Sequence, residues 1–250
     1  MMDTLPIWLP VAFFAIAVIY SMAGLGGGCG YLAVLALIGL SHQTIPQTVL
    51  ICNLIVSASG VWHFYRGGHF DAGKVLPFVA LSIPMAYLGG RIAVGEQVFM
   101  ILTGVSLAVA GSRMFLGRSA GGPERSITRG QAWRLGLPIG AVLGLLAGLV
   151  GIGGGVFLGP VLVLTGWMKV KQAAATAALF VFVNSAAGLT GQLAKGVYIN
   201  EMVIPLAIAA LIGGQIGSRA GSYHMPAVGV RRVLAALVVV VAVKLFWGVV

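Results

Sequence analysis

Gly-Leu-Gly-Gly-Gly at positions 24–28 returns as Gly-Ile-Gly-Gly-Gly at 151–155, inside a chain that is almost wholly apolar. The copy extends well beyond the glycines. At an offset of 127, Gly39 meets Gly166; after a slip of one residue, an offset of 128 pairs Ser57 with Ser185, Gly60 with Gly188, Gly68 with Gly196, Pro77 with Pro205, Gly89 with Gly217 and Arg91 with Arg219. The chain is therefore two copies of a unit of about 125 residues. Duplication with an interrupted apolar segment at matching places in both halves marks a secondary transporter.

Composition sets the solvent. Hydrophobic residues make up 59% of the chain and charged residues 8%, with a mean hydropathy of +1.04. A soluble domain carries roughly 25% charged residues, so this chain predicts an all-α integral membrane protein. A β-barrel would need period-two alternation, which runs such as 228–250 lack. The net charge of +10 lies mainly in short loops and near headgroups, which fits topology setting and not nucleic-acid binding. Cys29 and Cys52 stand in apolar segments and form no disulfide framework. The first 24 residues carry Asp3 and no Lys or Arg, which argues against a cleaved signal peptide.

Apolar segments fall at 6–40, 44–64, 75–91, 98–116, 135–166, 172–193, 202–220 and 228–250, about eight helical segments in all. This divides the chain into a first membrane repeat (1–116), a polar linker (117–134) and a second repeat (135–250). The first and fifth segments exceed the roughly 20 residues of one crossing, and each holds a glycine cluster. Each is either a discontinuous helix that crosses fully or a re-entrant hairpin. With hairpins, three crossings per half make the second repeat inverted. The linker arginines (Arg113, Arg118, Arg125, Arg129, Arg134) then share the cytoplasmic side with Arg66, Lys74, Lys169, Lys171, Arg219, Arg231 and Arg232. That is 12 of 15 positive residues, against 9 of 15 for eight plain crossings. Inverted repeats with a cytoplasmic linker in a bacterial inner membrane are the expectation. Gly136, Gly140, Gly144 and Gly148, and likewise Gly213, Gly217 and Gly221, recur every four residues and predict close helix packing.

Three glycines in a row cost roughly 1 kcal/mol each in a helix and should break it. The break frees backbone N–H groups at the start of the next helical piece, a natural anion site; the glycines could alternatively serve only a sharp turn. Candidate substrate-binding residues are Gly26, Gly27, Gly28, Gly153, Gly154 and Gly155, with Asn53, Ser57, Asn184 and Ser185 from the segments that follow. Polar side chains at depth either line a path or act as interhelical glue. His63 is a candidate proton relay or an interfacial residue. Arg91 and Arg219 are candidates for attracting anions or for anchoring helix ends. The five acidic residues all fall at segment ends or in loops, which disfavours a cation substrate. No HExxH, Cys/His metal spacing or GxSxG is present, so no enzyme, metal or cofactor is expected.

These parts resemble the TauE/SafE sulfite exporter family, the toluene-sulfonate uptake permease group. The resemblance rests on an ordered set that occurs twice: the break at 24–28, the Asn/Ser-rich stretch 53–60, Arg66 to Gly68 and the Gly-x-Arg closure at 89–91. Its second occurrence is 151–155, 176–188, Lys195-Gly196 and 217–219. The first repeat departs at 30–33, where the second has an apolar-Gly-Pro run, and in carrying Trp62 and His63 against Thr190 and Gly191. The resemblance implies export of small sulfur-containing anions such as sulfite, thiosulfate or organosulfonates. Alternating access, with one repeat rocking against the other, is the expected mechanism. An anion channel and a non-transporting assembly subunit are the rival readings. The expected partners are the anion and the lipid bilayer, with a homodimer left open.

Overall fold

A computed structural model describes residues 6–116, 128–196 and 201–223. It holds nine α-helices among those residues: α1 (Trp8–Met22), α2 (Gly28–Leu37), α3 (Thr44–Arg66), α4 (Ala72–Arg91), α5 (Glu96–Leu116), α6 (Arg129–Val150), α7 (Gly155–Leu164), α8 (Val170–Leu193) and α9 (Val203–Tyr223). The number exceeds eight because each long apolar segment divides in two at its glycines. The last apolar segment, 228–250, and the charges Arg118, Arg125, Arg231, Arg232 and Lys244 lie outside the described residues. Helix α6 begins at Arg129, within the stretch read as linker from polarity, because Thr128 and Gln131 form a reciprocal capping box. Asp71 likewise caps α4 by accepting from the Lys74 N–H at 3.3 Å.

Among the described residues, five helices are long and apolar enough to cross a membrane: α3, α4, α6, α8 and α9. Their outer faces carry bare hydrophobes, with Ile204, Ile208, Ile212 and Ile216 exposed along α9. Their inner faces bury Asn53, Ser57, Asn184, Ser185 and Gln192. An apolar exterior around a polar-dotted interior is the arrangement that lipid demands of a helix bundle. The protein is an all-α integral membrane protein.

The most extensive contacts run between repeats: α4 with α6, α1 with α9 and α3 with α8. Along α4 and α6, Gly140, Gly144 and Gly148 sit over the carbonyls of Phe78, Ser82 and Ala86, so both helices run in one direction. Along α9 and α1, Gly213, Gly217 and Gly221 sit over the carbonyls of Phe14, Val18 and Met22, again in parallel. The two glycine stripes thus form the close seams read from their spacing, and the second repeat supplies both. The equivalent helices α3 and α8 cross in opposite directions, with Leu50 against Gly188 and Gly60 against Ala178. Matching helices that run antiparallel require a pseudo-two-fold axis perpendicular to them, which is an inverted repeat.

The same contacts fix the path of the broken segments. Helix α9 runs along α3, with Gly214 at Val56, Ser218 at His63 and Ser222 at His69. Since α1 is parallel to α9, it is also parallel to α3, and α2 between them runs back. In the second repeat Gly155 faces Val181 and Gly159 faces Ala177, so α7 runs back against α8. Helices α2 and α7 have 10 residues each, about 15 Å at 1.5 Å per residue, half of a bilayer core of about 30 Å. Both long segments are hairpins of a longer and a shorter helix.

Cys29 and Cys52 are buried within this bundle, at 1% and 0% exposure. Maleimide added to the intact protein should label neither, and denaturation should release both for labelling. Fast labelling of the native protein would contradict this packing.

Candidate functional site

Each hairpin tip is shaped by glycines in conformations that L side chains rarely adopt. Among the described residues, ten positive-φ glycines form five repeat-related pairs: Gly24 with Gly151, Gly26 with Gly153, Gly27 with Gly154, Gly39 with Gly166, and Gly68 with Gly196. Helix α6 ends on Gly151 (φ 85°), whose N–H donates to the Ala147 carbonyl at 2.9 Å. Two further left-handed glycines then turn the chain into α7.

The tips meet at Asn53 and Val181, which are themselves related by the 128-residue offset. A carbon added at Gly26 would lie 3.0 Å from Asn53 Oδ1 and 3.0 Å from a Val181 methyl. One added at Gly153 would lie 2.9 Å from that Val181 methyl, 3.2 Å from Asn53 Nδ2 and 3.2 Å from Ser185 Oγ. One at Gly28 would collide with the Ile152 carbonyl of the opposite tip. Asn53 ties the two halves together: its Nδ2 donates to the carbonyls of Ile152 (3.2 Å) and Gly151 (3.4 Å), while its Oδ1 is buried with no partner. Ser57 donates to the Asn53 carbonyl, one turn back on the same helix.

The electrostatics of this meeting point come from helix ends. Neither α2 nor α7 has a capping side chain, and the N–H groups of Gly28, Cys29, Gly30, Gly155 and Val156 donate to no backbone carbonyl. Residues 26–31 and 151–156 are all buried. Two helix N-termini, each with about +0.5 of an elementary charge, are thus brought together away from water.

The structure gathers Gly26, Gly28, Asn53, Gly153 and Ser185 in one place. Ser185 Oγ is fully buried without a partner. Gly27 packs on the ring of Tyr31, Gly154 on Phe180, and Gly155 on Val181. Asn184 donates to its own helix at the Phe180 carbonyl (2.8 Å) and is not the counterpart of Asn53, which the offset gives as Val181. Arg91 and Arg219 are exposed at the far ends of α4 and α9 and are not brought to the tips. His63 is half-buried; its Nδ1 contacts the Ser59 carbonyl at 2.8 Å and Ser218 Oγ at 3.1 Å. Ser218 in turn donates to the Gly214 carbonyl at 2.6 Å, so Nδ1 carries the proton toward both oxygens. Sequence reasoning missed Tyr31, which stacks on Phe13 at 4.5 Å with its buried hydroxyl unpartnered. Its spacing, four residues after Gly27 on the face of the same helix turn, was the available signal.

The sequence profile of the sulfite exporter TauE/SafE family matches residues 9–245, both hairpins included. The chain belongs to the TauE/SafE family. A curated relative, "Probable membrane transporter protein y4hK" of Sinorhizobium fredii, is 37% identical over 256 residues, covering 98% of this chain and all of the relative. No solved structure matches the chain. Family and relative together make this TauE/SafE member a multi-pass membrane transporter and point away from enzymatic activity.

Proposed function

We propose that this transporter exports small sulfur-containing anions, such as sulfite, thiosulfate or organosulfonates, across a bacterial inner membrane by alternating access. The observation that carries the reading is the pair of buried, uncapped helix N-termini at the meeting of the two tips. Backbone N–H groups of α2 and α7 would hold the anion, with Ser185 and Tyr31 hydroxyls as further donors. Asn53 holds the tips in register and offers an acceptor to a protonated oxyanion. The sulfur class and the outward direction rest on the family.

The end of the bundle that carries Arg66, Lys74, Arg134, Lys169, Lys171 and Arg219 is assigned to the cytoplasm, with the linker 117–134 beside it. Arg91 and Lys195 belong to the opposite face. The seams support a division of moving bodies different from repeat against repeat: α1 travels with α9, and α4 with α6, so each body draws on both halves.

Proteoliposomes loaded with labelled sulfite or an alkylsulfonate test the proposal. Saturable flux well above empty vesicles is expected. Ser185→Ala should weaken apparent affinity about tenfold, the loss of a hydrogen bond to a charged group. Absence of flux for every sulfur anion, or non-saturating voltage-driven current, would overturn it.

A further inference from the structure

A cavity of about 460 Å³ opens on the face that carries Arg91 and Lys195. It is formed where the α2–α3 loop, the α4–α5 loop and the end of α8 come together, and it reaches inward to Leu149, two residues before the second tip. Its volume lies within the range of about 300–1,000 Å³ of small-ligand sites. The walls divide by chemistry. Lys195, Gln192 and His42 are polar, while Phe99, Val94 and Leu149 are apolar.

We infer that this cavity is a second anion site, selective for small organic anions that pair a sulfonate head with a short apolar tail. The choice of sulfonate as head group rests on the function proposed above. Lys195 supplies the charge. One of its three N–H donors reaches the Ile92 carbonyl at 3.4 Å, which leaves two for a ligand. Partial burial lowers the lysine's proton affinity, so the ammonium is incompletely hydrated and an arriving anion restores its favour. The first turn of α3, at Gln43 and Pro46, also borders the cavity and adds the positive end of a 23-residue helix. Gln192 is held in place by donating to the Gly148 carbonyl at 3.1 Å. Phe99 and Leu149 offer the tail a surface that a bare inorganic oxyanion could not use.

Duplication does not dictate this chemistry. At the pseudo-symmetric positions of the other end, Phe64 replaces Gln192 and Gly67 replaces Lys195. Phe64 is fully buried there, and Lys171 reaches the Ser222 carbonyl at 3.0 Å. The described residues at the two ends thus differ in chemistry, and this cavity lies on the path by which an exported anion would leave.

The test is calorimetric titration of the purified full chain with sulfite, methanesulfonate and butanesulfonate. Butanesulfonate is expected to bind at least about tenfold more tightly than methanesulfonate, from burial of its methylenes. Lys195→Gln should weaken both sulfonates about tenfold or more, and Lys195→Arg should retain binding. Phe99→Ala should erase the chain-length preference while leaving methanesulfonate unchanged. A flat chain-length series, or unaltered binding by Lys195→Gln, would overturn the inference. The central site is read separately, by flux in proteoliposomes. Lys195-dependent binding without any flux would sink the transport reading and support this site; flux without Lys195-dependent binding would do the reverse.

Discussion

Asn53→Leu protein is expected to reach the membrane, purify as a folded chain and transport at least about tenfold more slowly than the parent. The side chain is fully buried near the middle of α3 and is the described residue whose polar atoms join both tips. Leucine keeps the heavy-atom count and the branching of asparagine, with methyls bulkier than the amide atoms they replace. What is lost is the pair of hydrogen bonds to Gly151 and Ile152, and with them the register of the two helix N-termini. A buried carbonyl left without a partner costs about 1–3 kcal/mol. Each 1.4 kcal/mol is a tenfold change in an equilibrium, so a site that depends on the register should lose about that much or more. Asn184→Leu is the control. Asn184 bonds only within its own helix turn, and its replacement should slow flux much less. Normal transport by Asn53→Leu would remove the tips from the pathway.

Gly148→Leu is expected to prevent assembly altogether. A carbon at Gly148 would overlap the Ala86 carbonyl and lie 2.6 Å from the Gly90 nitrogen. Both are backbone atoms of a packed helix, and neither can swing aside. In lipid the two helices gain no hydrophobic drive toward each other, and close backbone approach is what holds them. Overpacking commonly costs 1–3 kcal/mol, and more when backbone must move, which is a large share of an ordinary stability margin of about 5–15 kcal/mol. The expected result in detergent is aggregation instead of a monodisperse peak. Gly148→Ala should fold with a lowered melting temperature. Gly95→Ala, at a position that faces open space, should be neutral. A well-behaved Gly148→Leu protein would show that the seam is looser than its glycines imply.

Much of this architecture is written in the sequence in a form that physical chemistry can read. Three glycines in a row within 35 apolar residues cannot be a continuous helix, and the four-residue spacing of Gly136 to Gly148 announces a backbone-to-backbone seam. The positive charges distinguished a hairpin from a full crossing because hydrophobic length alone could not. Other features were illegible for equally physical reasons. The partner of each stripe lies on the other repeat, and nothing local in Gly217 names Val18. Asn53 and Asn184 look alike in composition, yet one faces the tips and the other its own turn, because a three-residue difference in register rotates a helical side chain by most of a turn. Nothing in the sequence separates Tyr31 from any other core aromatic, because the missing partner of its hydroxyl is a property of the packed bundle. The cavity beside Lys195 is assembled from two loops and the ends of several helices, and no single stretch carries its pattern.

The exchange of partners between repeats sets a timetable for synthesis. The face of α1 that Gly213, Gly217 and Gly221 will cover has no match until α9 emerges, about 180 residues after α1 is complete. At about 5–20 residues per second, that face waits roughly 10–40 s. During this interval the nascent α1 must be sheltered by the insertion machinery or by lipid alone, and a ribosome that stalls anywhere before α9 leaves behind a half-made bundle with its first helix unclaimed.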